Sequence, residues 1–153
     1  MKTQVLQSAH SDRQYRQAGF SLVELLVVLV IMGVISALAL PGYTRYVQRG
    51  NRTEVMTALL EAQHFMERYY SANGQYLSPA NAVPMLPQRL QGIPSQGTVR
   101  YQLSVREATA NSYLLQAVPE GSMADDVCGS LTINQTGLRG VLNSTNSVSE
   151  CWR

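Results

Sequence analysis

The chain has 153 residues and a mass of 16.9 kDa, enough for one folded domain and an anchoring segment but not for two large domains. Charged residues make up only 14% of the chain, and the apolar residues are concentrated near its start. The formal charge is +2, but it falls to zero once the first 19 residues are left out. This balance does not indicate a broad basic surface for nucleic acid or anionic lipid.

Residues 20–40 form an apolar run with a single ionisable side chain, Glu24. As a helix this run would be about 31 Å long, which is enough to cross the core of a bilayer. Arg13 and Arg16 precede the run and are opposed by only one acid. The positive-inside rule therefore predicts that the segment before the run is cytoplasmic and that the rest of the chain lies outside.

Glu24 is out of place in such a run, because a carboxylate there costs up to about 2.5–3.5 kcal/mol on insertion. It needs a cation nearby, and the run contains no basic residue. Cutting the chain between Gly19 and Phe20 would create an α-amino group four residues from the carboxylate. Such a cut would supply the missing partner.

The sequence GFSLVELL at residues 19–26 resembles the prepilin motif of type IV pilins and type II secretion pseudopilins. The resemblance implies that a prepilin peptidase cleaves after Gly19 and methylates the new terminal residue, Phe20. It also implies that Glu24 pairs with the N-terminal amine of a neighbouring subunit during assembly. The leader, residues 1–19, is longer than in the largest pilin class, so it is either a long-leader variant or translation starts after Met1.

Two alternatives remain for the N-terminus. Ala37-Leu38-Ala39 matches a small-x-small signal-peptidase site, which would make residues 1–39 an ordinary secretory signal. A plain membrane anchor with a chance match to the motif is the other. The mature chain would begin at Leu40 in the first case, at Met1 in the second and at Phe20 after prepilin cleavage.

Beyond the apolar run, Pro41 and Gly42 fall where the pilin family has a helix kink. Residues 41–71 continue the helix as an amphipathic segment that ends near Tyr70. Arg45, Arg49 and Arg52 share one side of it, for which a solvated helix face is favoured over headgroup contact or partner binding. The apolar residues recur at helical spacing: Tyr43, Tyr46, Val47, Val55, Leu59, Ala62, Met66 and Tyr69.

Residues 72–97 open with Asn73-Gly74 and contain four of the six prolines, which predicts a helix-to-sheet loop. Residues 98–153 are predicted to form an antiparallel sheet and a C-terminal region. The candidate strands are Thr98–Val105, Ser112–Val118, Gly129–Asn134 and Leu138–Asn143. We therefore expect an α+β pilin fold, with the long helix packed on three or four antiparallel strands.

Cys128 and Cys151 are the only cysteines, and both lie in the part predicted to be outside the cytoplasm. Oxidation is expected there, and the closed loop would contribute roughly 3 kcal/mol. A C-terminal disulfide loop is common in pilins and resembles a subgroup that includes minor pilins. No metal site is expected, because neither histidine is near a cysteine in sequence, and the pair Asp125 and Asp126 is predicted to be a solvated turn rather than a calcium site.

No nucleophile motif, phosphate loop or cofactor motif accompanies His64, so we expect neither an enzyme nor a cofactor. The sequence predicts a structural subunit of a type IV pilus that serves adhesion, motility or pilus biogenesis, and the resemblance implies one of the minor class. The expected partners are other pilin subunits, the prepilin peptidase, the inner-membrane assembly machinery and the lipid bilayer. We expect the chain first in the inner membrane, with its C-terminal part periplasmic, and then in an extracellular filament.

Two other functions stay open. A pilus-associated DNA receptor would need clustered arginines. From Thr53 onward six arginines face eight acids, so bulk charge disfavours DNA, although a local stripe of Arg100, Arg106, Arg139 and Arg153 could still form. The second function is that of a type II secretion pseudopilin, which the C-terminal disulfide loop disfavours.

Overall fold

The computed structural model describes residues 19–153, except for the side chains of residues 40 and 41. The predicted leader therefore lies outside the described residues, apart from Gly19. The chain divides into two compact units, Met1–Leu40 and Pro41–Arg153. We call the second unit the head.

Helix α1 spans Leu22–Asn73 and has 52 residues. It ends because Gly74 adopts a φ of 73° and donates its backbone N–H to the carbonyl of Tyr70 at 2.7 Å, which is a common glycine-dependent helix stop. The helix was predicted to end near Tyr70, and the Asn-Gly signal falls three residues later. The predicted loop after the helix therefore begins at this glycine.

The core of the head forms between α1 and the sheet. Val55, Leu59, Ala62 and Met66 are completely buried on the helix side, at the predicted helical spacing. The prediction was wrong for the beginning of the stripe, because Tyr43 and Tyr46 remain 68% and 77% exposed. The buried face of the helix begins only at Arg52 and Val55, where the strands provide an opposing surface.

The sheet has five antiparallel strands in the order β1-β2-β3-β4-β5. The strands are β1 Gly92–Ile93, β2 Tyr101–Ala108, β3 Tyr113–Pro119, β4 Ser130–Asn134 and β5 Arg139–Leu142. The last four agree with the predicted strands to within a few residues. Two short helices complete the head, α2 Gln88–Gln91 and α3 Val148–Cys151.

Strand β1 and helix α2 lie in the segment that was predicted to be loop, so the sheet has one strand more than expected. Strand β1 consists of two residues, which pair with Gln102 and Tyr101 of β2. An alternating pattern needs about four to eight residues to be recognised. A strand of this length therefore leaves no signal in the sequence.

The two faces of the sheet differ along the strands. In β2, Tyr101, Leu103 and Val105 face the core, while the residues between them are exposed. The register of β2 on β3 shifts between Val105 and Glu107, which marks a bulge. Strand β4, which lies between β3 and β5, is buried on both faces.

Candidate functional site: the motif, the apolar run and the disulfide-bonded head

The residues of the prepilin motif lie at the very start of α1. Gly19 and Phe20 precede the helix and are exposed, Phe20 by 74% of its surface. Glu24 lies in the first helical turn, where free backbone N–H groups favour a carboxylate. Cleavage, methylation and the pairing of Glu24 remain predictions.

Every described side chain of the apolar run is exposed. Among the described residues, α1 contains the one helix segment long and apolar enough to cross a membrane by its length and composition. None of that segment is buried inside the structure. Since exposed apolar surface of this extent is unfavourable in water, the run needs an apolar environment from elsewhere.

Helix α1 continues through Pro41 and Gly42 rather than ending there. A proline within a helix lacks the N–H that would bond to the carbonyl four residues earlier. This position is therefore a weak point in the helical hydrogen bonding. The predicted kink itself remains a prediction.

The disulfide between Cys128 and Cys151 is present, with the two Cα atoms 5.6 Å apart. Both cysteines are buried, which confirms the pairing predicted from the sequence. The bond connects Cys128, two residues before the start of β4, to Cys151 at the end of α3. The neighbouring Trp152 donates its indole N–H to the carbonyl of Gly140 in β5 at 2.9 Å, so the C-terminal region is fixed on the sheet.

A buried ionic network joins α1 to the disulfide loop. The guanidinium of Arg52 lies 3.4 Å from the carboxylate of Asp126 and also contacts the sulfur of Cys128. Tyr101 donates its hydroxyl to the other oxygen of Asp126 at 2.7 Å. Burial, and secondarily this hydrogen bond to the carboxylate, raises the pKa of Tyr101 well above its usual range.

Two predictions were wrong at this network. Arg52 was expected on a solvated helix face and Asp126 in a solvated turn, but they are only 8% and 6% exposed. The burial of Arg52 could have been predicted from the sequence. Arg52 precedes Val55 by three residues and so lies on the same helical face as the core residues. Asp126 had no such signal, because its partner is distant in sequence.

A second polar cluster lies at the other end of the head. The hydroxyls of Tyr76 and Tyr113 donate to the carboxylate of Glu67 at 3.0–3.1 Å. Tyr70 packs against the ring of Tyr76, with the centroids 4.6 Å apart. Burial, followed by the hydrogen bond to Glu67, raises the pKa of Tyr76 to about 12. Sequence analysis did not identify Glu67 as the common acceptor of these two hydroxyls.

Comparisons with known proteins place this arrangement in a family. Residues 41–132 match the family model described as type IV minor pilin ComP, DNA uptake sequence receptor. Residues 14–40 match the prokaryotic N-terminal methylation motif. The first match covers more than half of the chain and the second contains the predicted cleavage site.

Two curated relatives and one solved structure are similar to large parts of the chain. The type IV wide pilus major component PilA4 of Thermus thermophilus is 30% identical over 86% of this chain and 90% of its own length. The type II secretion system core protein G of Pectobacterium carotovorum is 27% identical over 71% of this chain and 64% of its own length. Among solved structures, the non-core minor pilin PilV of Neisseria meningitidis is 20% identical, with a TM-score of 0.49 over 67% of this chain and 94% of its own.

A methylation motif before an apolar helix and a disulfide-bonded α+β head define a pilin-like filament protein. The chain belongs to the type IV pilin family, and the model that matches its head is that of a minor pilin. The predicted resemblance and fold class are thereby confirmed. The family consists of structural proteins that assemble with other pilins.

Proposed function

We propose that the protein is a minor subunit of a type IV pilus, assembled through the apolar run into an extracellular filament for adhesion, motility or pilus biogenesis. The observation that carries the proposal is that every described side chain of the apolar run is exposed, directly after a methylation motif. Lipid surrounds this run before assembly, and the runs of other subunits surround it in the filament.

Cleavage after Gly19 by the prepilin peptidase is the step that prepares the chain for assembly. It removes a leader that contains Arg13 and Arg16 and leaves an amine on Phe20. The carboxylate of Glu24 pairs with the N-terminal amine of a neighbouring subunit as the assembly machinery of the inner membrane adds it to the filament. The head is periplasmic before this step.

Mass spectrometry of the mature N-terminus tests the cleavage. After expression with the prepilin peptidase we expect N-methylated Phe20, and Gly19→Val should leave the leader attached. Ala18→Val, one residue away, is the matched control and should be processed normally. A mature chain that begins at Leu40 or at Met1 would contradict the proposal.

The role of Glu24 is tested by Glu24→Val in the full chain. The variant should insert into the membrane at least as well, because it carries no charge into the apolar run, but should be largely absent from sheared filaments. Asp125→Asn removes a charge from the head and should assemble normally. Normal assembly of Glu24→Val would refute the pairing.

A DNA receptor is the second candidate, favoured by the match of residues 41–132 to the family model of a DNA uptake sequence receptor. The arginines of the predicted stripe are partly engaged. Arg100 pairs with Glu54 at 2.9 Å, and Arg106 pairs with Glu107 at 3.2 Å. Strands β2 and β5 are three places apart in the sheet, a separation of roughly 14 Å between Arg106 and Arg139 across the sheet.

Arg139 is the more available group, since it is exposed and forms no ion pair among the described residues; its guanidinium carbon lies 5.1 Å from the ring centre of Trp152. A gel-shift titration of the full chain in nonionic detergent at low and high salt tests this candidate. We expect no shift at low salt. A shift that Arg139→Gln removes and Arg68→Gln retains would establish the receptor function instead.

The similarity to core protein G supports a third candidate function, that of a type II secretion pseudopilin. Deletion of the gene distinguishes the two systems, because a pilus subunit affects filaments and a pseudopilin affects secreted proteins. We expect the loss or shortening of pili with secretion intact. Loss of secretion with normal pili would assign the chain to a secretion system.

A further inference from the structure

A basic pocket opens on the head between α1 and the disulfide loop. Its volume is about 340 Å³. We use the name basic pocket for the cavity lined by Arg45, Gln48, Arg49, Arg52, Val127 and Asn146. These residues include three arginines and no acid.

The positive charge of the basic pocket is concentrated on two of its arginines. Arg45, Arg49 and Arg52 follow one another at spacings of four and three, so they share one face of the helix. The charge of Arg52 is offset by Asp126. Arg45 and Arg49 are exposed and form no ion pair within the described part of the chain. The pocket therefore has about two positive charges available to an anion.

The wall opposite the helix is ordered by its own hydrogen bonds. The carbonyl of Val127 accepts from the backbone N–H of Thr145 at 3.0 Å and from the hydroxyl of Ser144 at 3.1 Å. The N–H of Asn146 donates to the same Ser144 hydroxyl at 3.0 Å. The side-chain amide of Asn146 can donate to a bound oxyanion. Because the disulfide holds this loop, the pocket exists before any ligand arrives.

The basic pocket follows the apolar run closely along the chain. Arg45 comes five residues after Leu40, the last residue of the run. Exposed Tyr43 and Tyr46 lie in the same turns, and tyrosines are enriched at the headgroup level of membranes. Arginine side chains that follow a membrane span closely in sequence can reach phosphates at the membrane surface.

We propose that the basic pocket binds the phosphate of an anionic phospholipid headgroup, such as phosphatidylglycerol, while the subunit is still in the membrane. The proposal rests on the membrane-anchored state of the proposed function. Arg45 and Arg49 supply the charge, and Asn146 supplies a neutral donor. The pocket holds the head at the membrane surface until the subunit is extracted into the filament.

The test uses the full chain in nonionic detergent micelles supplemented with phosphatidylglycerol or with phosphatidylcholine. Native mass spectrometry measures the lipid that remains bound. We expect phosphatidylglycerol to be retained in preference to phosphatidylcholine. The double variant Arg45→Gln/Arg49→Gln should bind phosphatidylglycerol roughly tenfold more weakly or worse, because two charges near the headgroup are lost.

Arg68→Gln is the matched control, because Arg68 is an exposed arginine on the same helix. It should retain phosphatidylglycerol as the native chain does. Formation of the Cys128–Cys151 disulfide in each variant, measured by its resistance to alkylation, verifies that the head is folded. Equal retention of the two lipids by the native chain, or equal loss with Arg68→Gln, would overturn the proposal.

A competition experiment with inorganic phosphate distinguishes a lipid headgroup from free phosphate as the source of the bound anion. If free phosphate displaces phosphatidylglycerol at equal concentration, the pocket is a small-anion site and the lipid assignment is wrong. If the double variant keeps phosphatidylglycerol but is lost from filaments, the pocket binds a carboxylate of another subunit. The proposed function is judged separately by the mature N-terminus and the presence of the chain in pili, so its failure and that of the pocket are distinguishable.

Discussion

Two stretches of the same helix have comparable side chains and opposite surroundings. In the apolar run every described side chain is exposed, whereas Val55, Leu59, Ala62 and Met66 are fully buried in the head. The run is apolar on all sides, so no single sheet could cover it. The later stretch is apolar on one side, and one sheet is sufficient. The distribution of apolar residues around a helix therefore determines whether its partners come from the same chain.

The buried ion pair should give the largest effect on the stability of the head. Asp126→Ala leaves Arg52 buried without its carboxylate, and we expect the free energy of unfolding to fall by about 4 kcal/mol. Urea unfolding of the full chain in nonionic detergent, followed through the fluorescence of the single tryptophan, Trp152, measures it. The control Asp125→Ala should change the free energy of unfolding by less than about 0.5 kcal/mol. Equal effects of the two variants would contradict the assigned network.

The comparison between the two stretches is tested directly by the same substitution in each. Leu59→Ala removes a fully buried side chain and should destabilise the head by about 3–4 kcal/mol. Leu29→Ala alters a side chain that is 69% exposed, and the same urea experiment should show a change within about 0.5 kcal/mol. If Leu29→Ala destabilised the head as strongly, the separation of the two stretches would be wrong.

Removal of the disulfide should act on the head alone. We expect Cys128→Ser/Cys151→Ser to lower the free energy of unfolding by about 3 kcal/mol, because the unfolded chain regains the entropy of an open loop. Insertion of the apolar run into membranes, measured by resistance to carbonate extraction, should not change. Loss of insertion in the double variant would show that the run depends on the head.

The smallest effect is expected at the tyrosine cluster. Tyr76→Phe removes a hydrogen bond to Glu67 and should cost about 1–2 kcal/mol near neutral pH. Folding raises the pKa of Tyr76 from 10.0 to about 12, so its contribution is present below pH 10 and lost as the pH rises to about 12. The difference in unfolding free energy between the native chain and Tyr76→Phe should therefore narrow over that interval. A gap that widens with pH would contradict the hydrogen-bonding assignment.

Much of the fold could be predicted because its signals are local. The alternation of Tyr101, Leu103 and Val105 indicated a strand, and the spacing of Val55 and Leu59 indicated a helix that packs on it. The disulfide followed from two cysteines in the part of the chain predicted to lie outside the cytoplasm. Each of these inferences needs only neighbouring residues or a simple count.

The rest depends on contacts between residues that are distant in sequence. Asp126 is buried because Arg52 and Tyr101 meet it, and no pattern near Asp126 reports those partners. Tyr43 and Tyr46 continue the helical spacing of the core residues, but the sheet provides no surface opposite them. Sequence periodicity shows which face of a helix is apolar, and it does not show how far along that face the sheet extends.

The bulge in β2 has a consequence for crowded filaments. Strand β1 covers only the first two residues of β2, so the edge of β2 from Leu103 onward has no neighbouring strand in the described part of the chain. The bulge interrupts this edge next to the charged residues Arg106 and Glu107. Irregular, charged edges resist the addition of a strand from another molecule. Edge-to-edge pairing of the sheets of neighbouring copies, which would lead to aggregation, is therefore unfavourable.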